Sequence, residues 1–299
     1  MVLALVGPTA SGKTEAGIDV AERLEAEIVC VDSMLVYRGM DVGTAKPTAA
    51  QRARVAHHLL DVVEPSERFT VARYQELARP VLERVTRPLL VGGSGLYFRA
   101  LVDGLAFPPE DADVRRSLET ELAVLGPVRL HDRLARTDPV AAGRIETPNA
   151  RRTVRALEVA ALTGEPFSTF SEPWGRYDPS GVRVVGVRID RAALDARVHA
   201  RVAAMLEAGW LEEVVGLVAR GLGSWLTSSK AIGYAEFAAY LDGSLAFEDA
   251  VAVTVRRTKE LGRRQMTWFA RDPRIRWFDA GDGGAMEVVD DISAYLGAV

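Results

Sequence analysis

Residues 2–14 read VLALVGPTASGKT, a short apolar run followed directly by a glycine-rich loop. The run is continuous rather than alternating, which is typical of a strand buried on both faces of a parallel sheet. Apolar residues then recur at helical spacing between positions 16 and 24. The order of strand, tight loop and helix is the local context that a phosphate-binding loop requires.

The loop matches the pattern G-x-x-x-x-G-K-[ST]. Its glycines let the backbone wrap so that successive amides face phosphate oxygens, and the helix that follows directs its positive end at the same anion. Lysine adds a positive charge, and the threonine hydroxyl suits a Mg²⁺ ion. We therefore predict that a polyphosphate with Mg²⁺ binds to the loop, which comprises Gly7, Pro8, Thr9, Ala10, Ser11, Gly12, Lys13 and Thr14, with Thr14 as the metal ligand.

Two further apolar runs, 27–32 and 88–93, are each followed by polar or helical sequence. This alternation predicts an α/β fold in which a parallel sheet is flanked by helices, as in P-loop NTPases. Residues 33–68 between the runs are polar, with glycines and prolines, and show no strong periodicity.

The pattern changes in the middle of the chain. Residues 114–164 have helical periodicity and no convincing strand, whereas a strand pattern returns at 182–190. We predict a helical insertion domain over 107–181, within a catalytic core formed by 1–106 and 182–299. Within the core, 192–220 predicts one or two helices and 246–270 another, and Trp277 and Phe278 predict a short late strand.

Composition excludes several classes of protein. The chain has 299 residues, 48% hydrophobic and 26% charged, which is ordinary for a globular protein, and its single cysteine, Cys30, cannot form an internal disulfide. No apolar run approaches the length of a membrane span, and the N-terminal run has no basic lead. We expect a cytoplasmic protein with no membrane partner.

The net charge of −4 argues weakly against nucleic acid as a partner, but positive charge is gathered locally. Segment 115–158 carries nine arginines against six acidic residues, and segment 256–276 has a net charge of +6. Such segments are either solvated helix faces or basic surfaces for RNA.

Asp32 ends the second predicted strand, where parallel sheets place their ligand crevice. It is either a turn aspartate or a general base near the phosphate site. The third strand ends in Gly92-Gly93-Ser94, so the acid of motor ATPases is not evident there. Arg197 and Arg201 share a helix face at four-residue spacing. His57 and His58 have no third ligand at a suitable spacing, so we predict a structural role for them.

Seven motifs occur in order along nearly the whole chain: GPTASGKT, VDSMLVYRGMDVGTAKP (31–47), HHLLDVVEPSERF (57–69), GGSGLYFRALVDGL (92–105), RRTVRALEV (151–159), AIGY (231–234) and RRQMTWF (263–269). Together they resemble the tRNA dimethylallyltransferase family, also called tRNA isopentenyltransferases or IPP transferases. These enzymes prenylate N6 of adenosine 37, next to the anticodon of tRNA.

The resemblance implies that the phosphate-binding loop holds the diphosphate of dimethylallyl diphosphate instead of ATP. It assigns the general base to Asp32, and it implies that Lys13, Arg201 and Mg²⁺ on Thr14 neutralise the departing diphosphate. Ser94 stands where the family often has threonine and keeps the hydroxyl, so it is also an expected catalytic residue.

The resemblance also implies that tRNA is the partner and that the helical insertion clasps its anticodon stem-loop. The expected tRNA-binding residues are Asp32, Ser33, Met34, Leu35, Ser94, Arg115, Arg151, Arg152, Thr153, Val154, Arg155 and Lys230. Lys230 replaces a common arginine, and Thr258-Lys259-Glu260 replaces the usual T-R-Q, which puts a contact at 260 in doubt. We expect the protein to act as a monomer.

Three alternatives remain open at this point. A small-molecule kinase would use the same loop for ATP, with the insertion as a lid. An adenylate prenyltransferase would use the same donor with a free nucleotide as acceptor, but the RRTVRALEV segment favours a longer RNA. A non-catalytic RNA-binding protein would not need the complete phosphate-binding loop.

Overall fold

The computed structural model of the chain describes residues 1–298, and the side chains of all of these except 171–174. It confirms the α/β class. The strands are β1 (Val2–Val6), β2 (Glu27–Val31), β3 (His57–His58), β4 (Pro88–Gly92), β5 (Val182–Ile189) and β6 (Ile275–Ala280). They form one parallel sheet in the order β3-β2-β4-β1-β5-β6.

Helices of regular α type surround or follow these strands. They are α1 (Lys13–Arg23), α2 (Ala49–Arg54), α3 (Val71–Arg84), α4 (Gly95–Val102), α5 (Ala112–Thr137), α6 (Pro139–Arg144), α7 (Ala150–Thr163), α8 (Arg191–Glu207), α9 (Trp210–Ala219), α10 (Tyr234–Leu241), α11 (Phe247–Phe269) and α12 (Val289–Gly297). Short 3₁₀ segments lie at Phe167–Gly175, Leu222–Ser224, Ser228–Lys230 and Gly284–Val288. Within residues 1–298, no helix is both long and apolar enough to cross a membrane.

The sheet is built around β1, which pairs with β4 on one side and β5 on the other. Leu3 to Val6 are all buried, as the continuous apolar run predicts for a central parallel strand. Because all the strands are parallel, the loop after β1 and the residue after β2 lie at the same edge of the sheet. That edge is where open α/β sheets bind their ligands.

The chain divides into two compact units. One comprises Met1–Val102 with Pro179–Val299 and contains the whole sheet, and the other comprises Asp103–Asp178. The predicted insertion spans 107–181, so the observed limits differ from it by three or four residues.

The smaller unit contains α5, α6 and α7, which pack around Leu118, Leu130, Leu134 and Leu157. Helix α5 is interrupted at Gly126, whose φ of 77° is left-handed and is followed by Pro127. The periodic segment predicted over 114–164 is therefore a packed set of helices rather than a single one.

Three details make the sequence predictions more specific. The polar segment 33–68 contains α2 and the two-residue strand β3, which is too short to show any periodicity. The stretch 192–220 forms two helices, α8 and α9, separated at Gly209. The late strand extends over six residues and not over Trp277 and Phe278 alone.

The two histidines of β3 have the structural role that the sequence predicts. His58 Nε2 lies 2.6 Å from Glu27 Oε2 on the neighbouring strand, and His57 Nδ1 lies 2.8 Å from the carbonyl of Val55. Among the described residues, no group of three or more acidic, histidine or cysteine side chains is arranged to hold a metal ion.

Candidate active site

The loop between β1 and α1 has the geometry of an anion-binding nest. Ala10 and Gly12 have positive φ values of 62° and 84°, which turn neighbouring amides toward one side. Within residues 1–298, the amides of Ala10, Gly12, Lys13 and Thr14 donate no hydrogen bond to the protein. These donors, at the positive end of an eleven-residue helix, are suited to the oxygens of a diphosphate.

The loop is held from outside by parts of the chain far away in sequence. The amide of Thr9 donates to Gln265 Oε1 at 2.7 Å, and the amide of Ala285 donates to the carbonyl of Ser11 at 2.8 Å. Arg197 Nε donates to the carbonyl of Ala10 at 2.8 Å, and its NH1 donates to the carbonyl of Asp282 at 2.7 Å. Arg197 therefore holds the loop in place through two backbone carbonyls.

Two cavities adjoin the loop. The central cavity, of about 370 Å³, is lined by Lys13, Asp32 and Arg201 among others. The loop cavity, of about 520 Å³, is lined by residues 10–15 and by Arg197 and Arg201. Lys13, Thr14 and Arg201 line both cavities, so these three residues connect the loop with the cavity that Asp32 lines.

Asp32 follows β2, and its two carboxylate oxygens have different surroundings. Its Oδ1 accepts hydrogen bonds from the amides of Met34 at 2.7 Å and Leu35 at 3.3 Å, which makes it a turn aspartate. Among the described residues its Oδ2 has no partner, and the side chain lines the central cavity. Both sequence interpretations of Asp32 are therefore compatible with one geometry.

The electrostatics of Asp32 suit a base. Burial raises the pKa of its carboxyl group, while the two turn amides and the nearby charges of Lys13 and Arg201 oppose that rise. In its ionised form, a carboxylate with a raised pKa is a better proton acceptor than an exposed aspartate.

Lys13 and Arg201 are the cations beside Asp32. Burial, together with the charge of Arg201, lowers the pKa of Lys13 to about 7, while Asp32 opposes that shift. Lys13 Nζ donates to the carbonyl of Pro8 and to Ser11 Oγ, so the lysine folds back onto the loop. Arg201 makes no hydrogen bond or ion pair with any residue that the structure describes, and burial lowers its pKa, although a guanidinium stays charged.

Other predicted residues lie around the same cavity. Ser33, Met34, Leu35 and Lys230 line it with Asp32. Ser94 does not line it, but its amide donates to the carbonyl of Val31 at 3.3 Å, which places Ser94 next to Asp32 across the ends of β2 and β4.

Thr14 fits the predicted metal ligand. Its side chain is exposed at the start of α1, and its hydroxyl makes no hydrogen bond to the described part of the chain. Mg²⁺ takes few protein ligands and completes its shell with phosphate oxygens and water, so a hydroxyl at this position is compatible with a Mg²⁺ ion held mainly by a diphosphate.

The predicted tRNA-binding residues of the helical unit differ in their exposure to solvent. Arg151 and Arg152 are exposed at the start of α7. Thr153 and Val154 are 0% and 4% exposed and pack inside the unit, and their contact with tRNA stays a prediction.

Arg115 and Arg155 in the same unit share one carboxylate. Glu158, a buried acid on α7, accepts from Arg115 at 2.8 Å and from Arg155 at 2.9 Å. Arg155 also donates to the carbonyls of Pro108 and Pro109. Both arginines therefore have a structural role within the unit, whatever else they contact.

Sequence reasoning missed two side chains that organise the site. Gln265 binds the loop amide of Thr9 and packs on Gly93, where a Cβ atom would lie 2.3 Å from its Nε2. Glu213 accepts from the amides of Asp41, Val42 and Gly43 at 2.6, 2.8 and 3.2 Å. The sequence could have indicated a role for Gln265, because this residue lies in the RRQMTWF motif. Glu213 has no such indication, because it resembles any glutamate in the first turn of a helix.

The comparisons with known proteins identify the family of this chain. The model of the IPP transferase family matches residues 35–272, and that of the isopentenyl transferases matches residues 1–62. A curated tRNA dimethylallyltransferase from Nocardioides sp. is 50% identical over 291 residues, covering 96% of this chain and 93% of that protein.

Solved structures give the same result. The full-length tRNA isopentenylpyrophosphate transferase of Bacillus halodurans is 38% identical and superposes with a TM-score of 0.72, over 99% of this chain and 95% of that one. A eukaryotic dimethylallyltransferase crystallised acting on tRNA shares the fold, with a TM-score of 0.79 at 24% identity, over 98% of this chain and 77% of that one. The match of the family model over most of the chain and the identity to curated members show that this chain belongs to the IPP transferase family.

Proposed function

We propose that the chain transfers the dimethylallyl group of dimethylallyl diphosphate to N6 of adenosine 37 in tRNA and releases diphosphate. The observation that carries this proposal is a single cavity lined by both the phosphate-binding loop and Asp32. The names of the relatives, which are tRNA dimethylallyltransferases, support the choice of substrates.

The donor binds through its diphosphate. The free amides of the loop donate hydrogen bonds to its oxygens, Lys13 and Arg201 add positive charge, and Thr14 would hold a Mg²⁺ ion. When bound, that ion supplies further positive charge to the leaving diphosphate. Because an allylic carbon supports positive charge, stabilising the leaving group lowers the barrier to carbon–oxygen cleavage.

The acceptor base must leave its stack to enter the central cavity, and bases in a single-stranded loop do so at the least cost. Adenine N6 is a weak nucleophile because its lone pair is delocalised into the ring. Asp32 Oδ2 accepts a hydrogen bond from N6–H and orients the amine. As the bond from N6 to the allylic carbon forms, the carbon–oxygen bond breaks, its electron pair leaves with diphosphate, and the N6 proton passes to Asp32.

The RNA is held by groups that do no bond chemistry. Ser33, Met34, Leu35, Ser94 and Lys230 are proposed to contact the loop around the flipped base. Arg151 and Arg152, with Arg115 and Arg155, give the helical unit a basic surface for the anticodon stem-loop, because phosphate contacts position an RNA. We further propose that the protein works in the cytoplasm, as a monomer.

The test is transfer from labelled dimethylallyl diphosphate to three acceptors: tRNA, AMP and water. Label in tRNA alone supports the proposal. Label in AMP identifies an adenylate prenyltransferase, and turnover of ATP without use of the allylic donor identifies a kinase. Binding of tRNA with no transfer at all indicates an RNA-binding protein.

A further inference from the structure

Glu213, a half-buried residue in the first turn of α9, receives four hydrogen bonds from two distant segments. Its Oε2 accepts from the amides of Asp41 at 2.6 Å and Val42 at 2.8 Å. Its Oε1 accepts from the amide of Gly43 at 3.2 Å and from the hydroxyl of Tyr234 at 2.6 Å. Burial and the charge of Glu213 raise the pKa of Tyr234, so its hydroxyl stays protonated and donates. One carboxylate thereby ties the 41–43 turn to the start of α10.

Trp210, on the same turn of α9, packs against the same two segments and is 2% exposed. A Cβ atom at Gly43 would lie 1.9 Å from its Nε1, and a Cβ atom at Gly233 would lie 2.0 Å from its Cζ2. The indole therefore fills the space that the two glycines leave, and neither segment can move closer to α9. Because the hydrogen bonds of Glu213 resist movement away from α9, the two segments are held from both directions.

Each of these segments leads into a wall of the central cavity. The first wall consists of Gly43, Thr44, Ala45 and Pro47, and the second consists of Lys230, Ala231 and Ile232. The other end of each wall has its own attachment. Lys46 Nζ donates to Asp61 Oδ1 at 2.5 Å beside the first wall. Ser228 Oγ donates to the carbonyl of Pro65 at 2.5 Å before the second wall. Glu213 holds the remaining end of both.

The phosphate-binding loop is attached independently of these two walls. Its hydrogen bonds with distant parts of the chain are made with Gln265, Ala285 and Arg197. Within residues 1–298, no hydrogen bond joins residues 41–47 or 230–234 to residues 7–14. A small shift of the walls would therefore leave the anion-binding amides in place, while it would change the space beside Asp32.

We propose that Glu213 is a positioning residue for the acceptor. By holding both walls, it keeps the space beside Asp32 at the width in which an adenine lies with N6 toward the carboxylate. Glu213 does not line the central cavity, so it acts through the walls and does no bond chemistry. A misplacement of about 1 Å can lower a rate about 100-fold, so a small shift of the walls is sufficient. The proposal rests on the proposed function for the identity of the acceptor as an adenine.

Three variants test this role. Glu213→Gln keeps the size of the side chain but replaces one oxygen by an NH₂ group, which opposes at least one of the donating amides. Tyr234→Phe removes only the hydroxyl and keeps the ring. Glu212→Gln is the matched control, because Glu212 is an exposed neighbour on the same turn and makes no hydrogen bond or ion pair with the described part of the chain.

Single-turnover transfer is measured at saturating donor and acceptor, with tRNA and with AMP as acceptors. We expect Glu213→Gln to lower the rate constant about 10–100-fold and Tyr234→Phe to lower it less. Glu212→Gln should stay within about twofold of the wild type, as exposed substitutions do. The affinity for inorganic diphosphate, measured by calorimetry, should be the same in all three variants and the wild type.

The unfolding midpoint is measured on the same preparations, and the rates are compared well below it. A purely structural role of Glu213 would lower the midpoint and leave the rate constant of the folded protein unchanged. The expected split, a lower rate constant with an unchanged affinity for diphosphate, is therefore specific to positioning of the acceptor.

The proposal is overturned if Glu213→Gln transfers at the wild-type rate, if Glu212→Gln loses as much, or if the affinity for diphosphate falls together with the rate. A wild type that uses AMP alone contradicts the proposed function, and the rates of the same variants with AMP then decide the role of Glu213. A wild type that transfers to neither acceptor overturns both proposals.

Discussion

Replacing Asp32 by asparagine tests the role of the base with little change to the fold. Asp32 Oδ1 accepts from the amides of Met34 and Leu35, and only an oxygen can do so. In Asp32→Asn the amide oxygen must therefore face those two donors, and the NH₂ group takes the place of Oδ2 in the central cavity. The oxygen that accepted a hydrogen bond from N6–H is thus replaced by an NH₂ group, which is a donor and repels N6–H.

The size of the effect follows from this reversal. Loss of a positioned general base costs roughly 10²–10⁴-fold in rate, which at about 1.36 kcal/mol per tenfold is about 2.7–5.4 kcal/mol of barrier. The affinity for tRNA is expected to fall much less, because the other groups that hold the RNA remain. Stability is expected to be kept, since the turn keeps both hydrogen bonds and loses a buried carboxylate whose pKa is raised.

The assay is single-turnover transfer of labelled dimethylallyl to saturating tRNA, with tRNA affinity and the unfolding midpoint measured on the same preparations. A rate within about threefold of the wild type, with normal stability, would show that Asp32 acts only as a turn residue. A rate loss matched by an equal loss of tRNA affinity would place Asp32 in RNA binding and not in proton transfer.

Three further predictions follow from other parts of the structure. Because the pKa of Lys13 is lowered to about 7, its charge is present below that pH and is lost above it. The kcat/KM for the donor should therefore fall as pH rises from about 7 to about 9, and a flat profile would show that no charge needed for donor binding, that of Lys13 included, titrates in this range. Gly43→Ala places a Cβ atom 1.9 Å from Trp210 Nε1 and should lower the free energy of unfolding, measured with denaturant, by about 1–3 kcal/mol. The control is Gly216→Ala, whose Cβ atom meets nothing within 4 Å and should not destabilise the protein. Equal effects of the two variants would refute the packing argument. The double variant Arg151→Ala and Arg152→Ala should reduce the slope of log affinity for tRNA against log salt concentration by roughly 0.7–0.9 for each phosphate that it no longer neutralises. The control is Arg116→Ala, since Arg116 is an exposed arginine paired with Asp113. An unchanged slope in the double variant would show that α7 is not part of the RNA-binding surface.

The features that could be predicted from the sequence are those encoded locally. The loop before α1 needs glycines and a lysine at fixed spacing, and an acid that directly follows a parallel strand lies at the ligand edge whatever the rest of the fold does. The division into a sheet-containing core and a helical insertion follows from periodicity, which also acts over short distances.

The features that could not be predicted depend on interactions between distant segments. Nothing near Glu213 indicates that three amides of the 41–43 turn will face its carboxylate. In the sequence Arg115 and Arg155 look free for RNA, because their partner, Glu158, is an acid in an otherwise basic run and becomes buried only when α5 packs on α7. The two-residue strand β3 exists because β2 offers it hydrogen-bond partners, not because of its own propensity.

Two contacts from segments that are distant in sequence hold the phosphate-binding loop in shape, and they affect when the loop can fold. The loop occupies residues 7–14, at the beginning of the chain, yet the amide of Thr9 is satisfied by a side chain 256 residues later, and the carbonyl of Ser11 by Ala285. Interactions of such long sequence separation form late, after most of the chain entropy has been lost. The loop is therefore expected to reach its final shape only after Gln265 and Ala285 have packed against it. A variant that loses either contact is therefore expected to bind an anion at the loop more weakly, although Gln265 and Ala285 are remote from the loop in sequence.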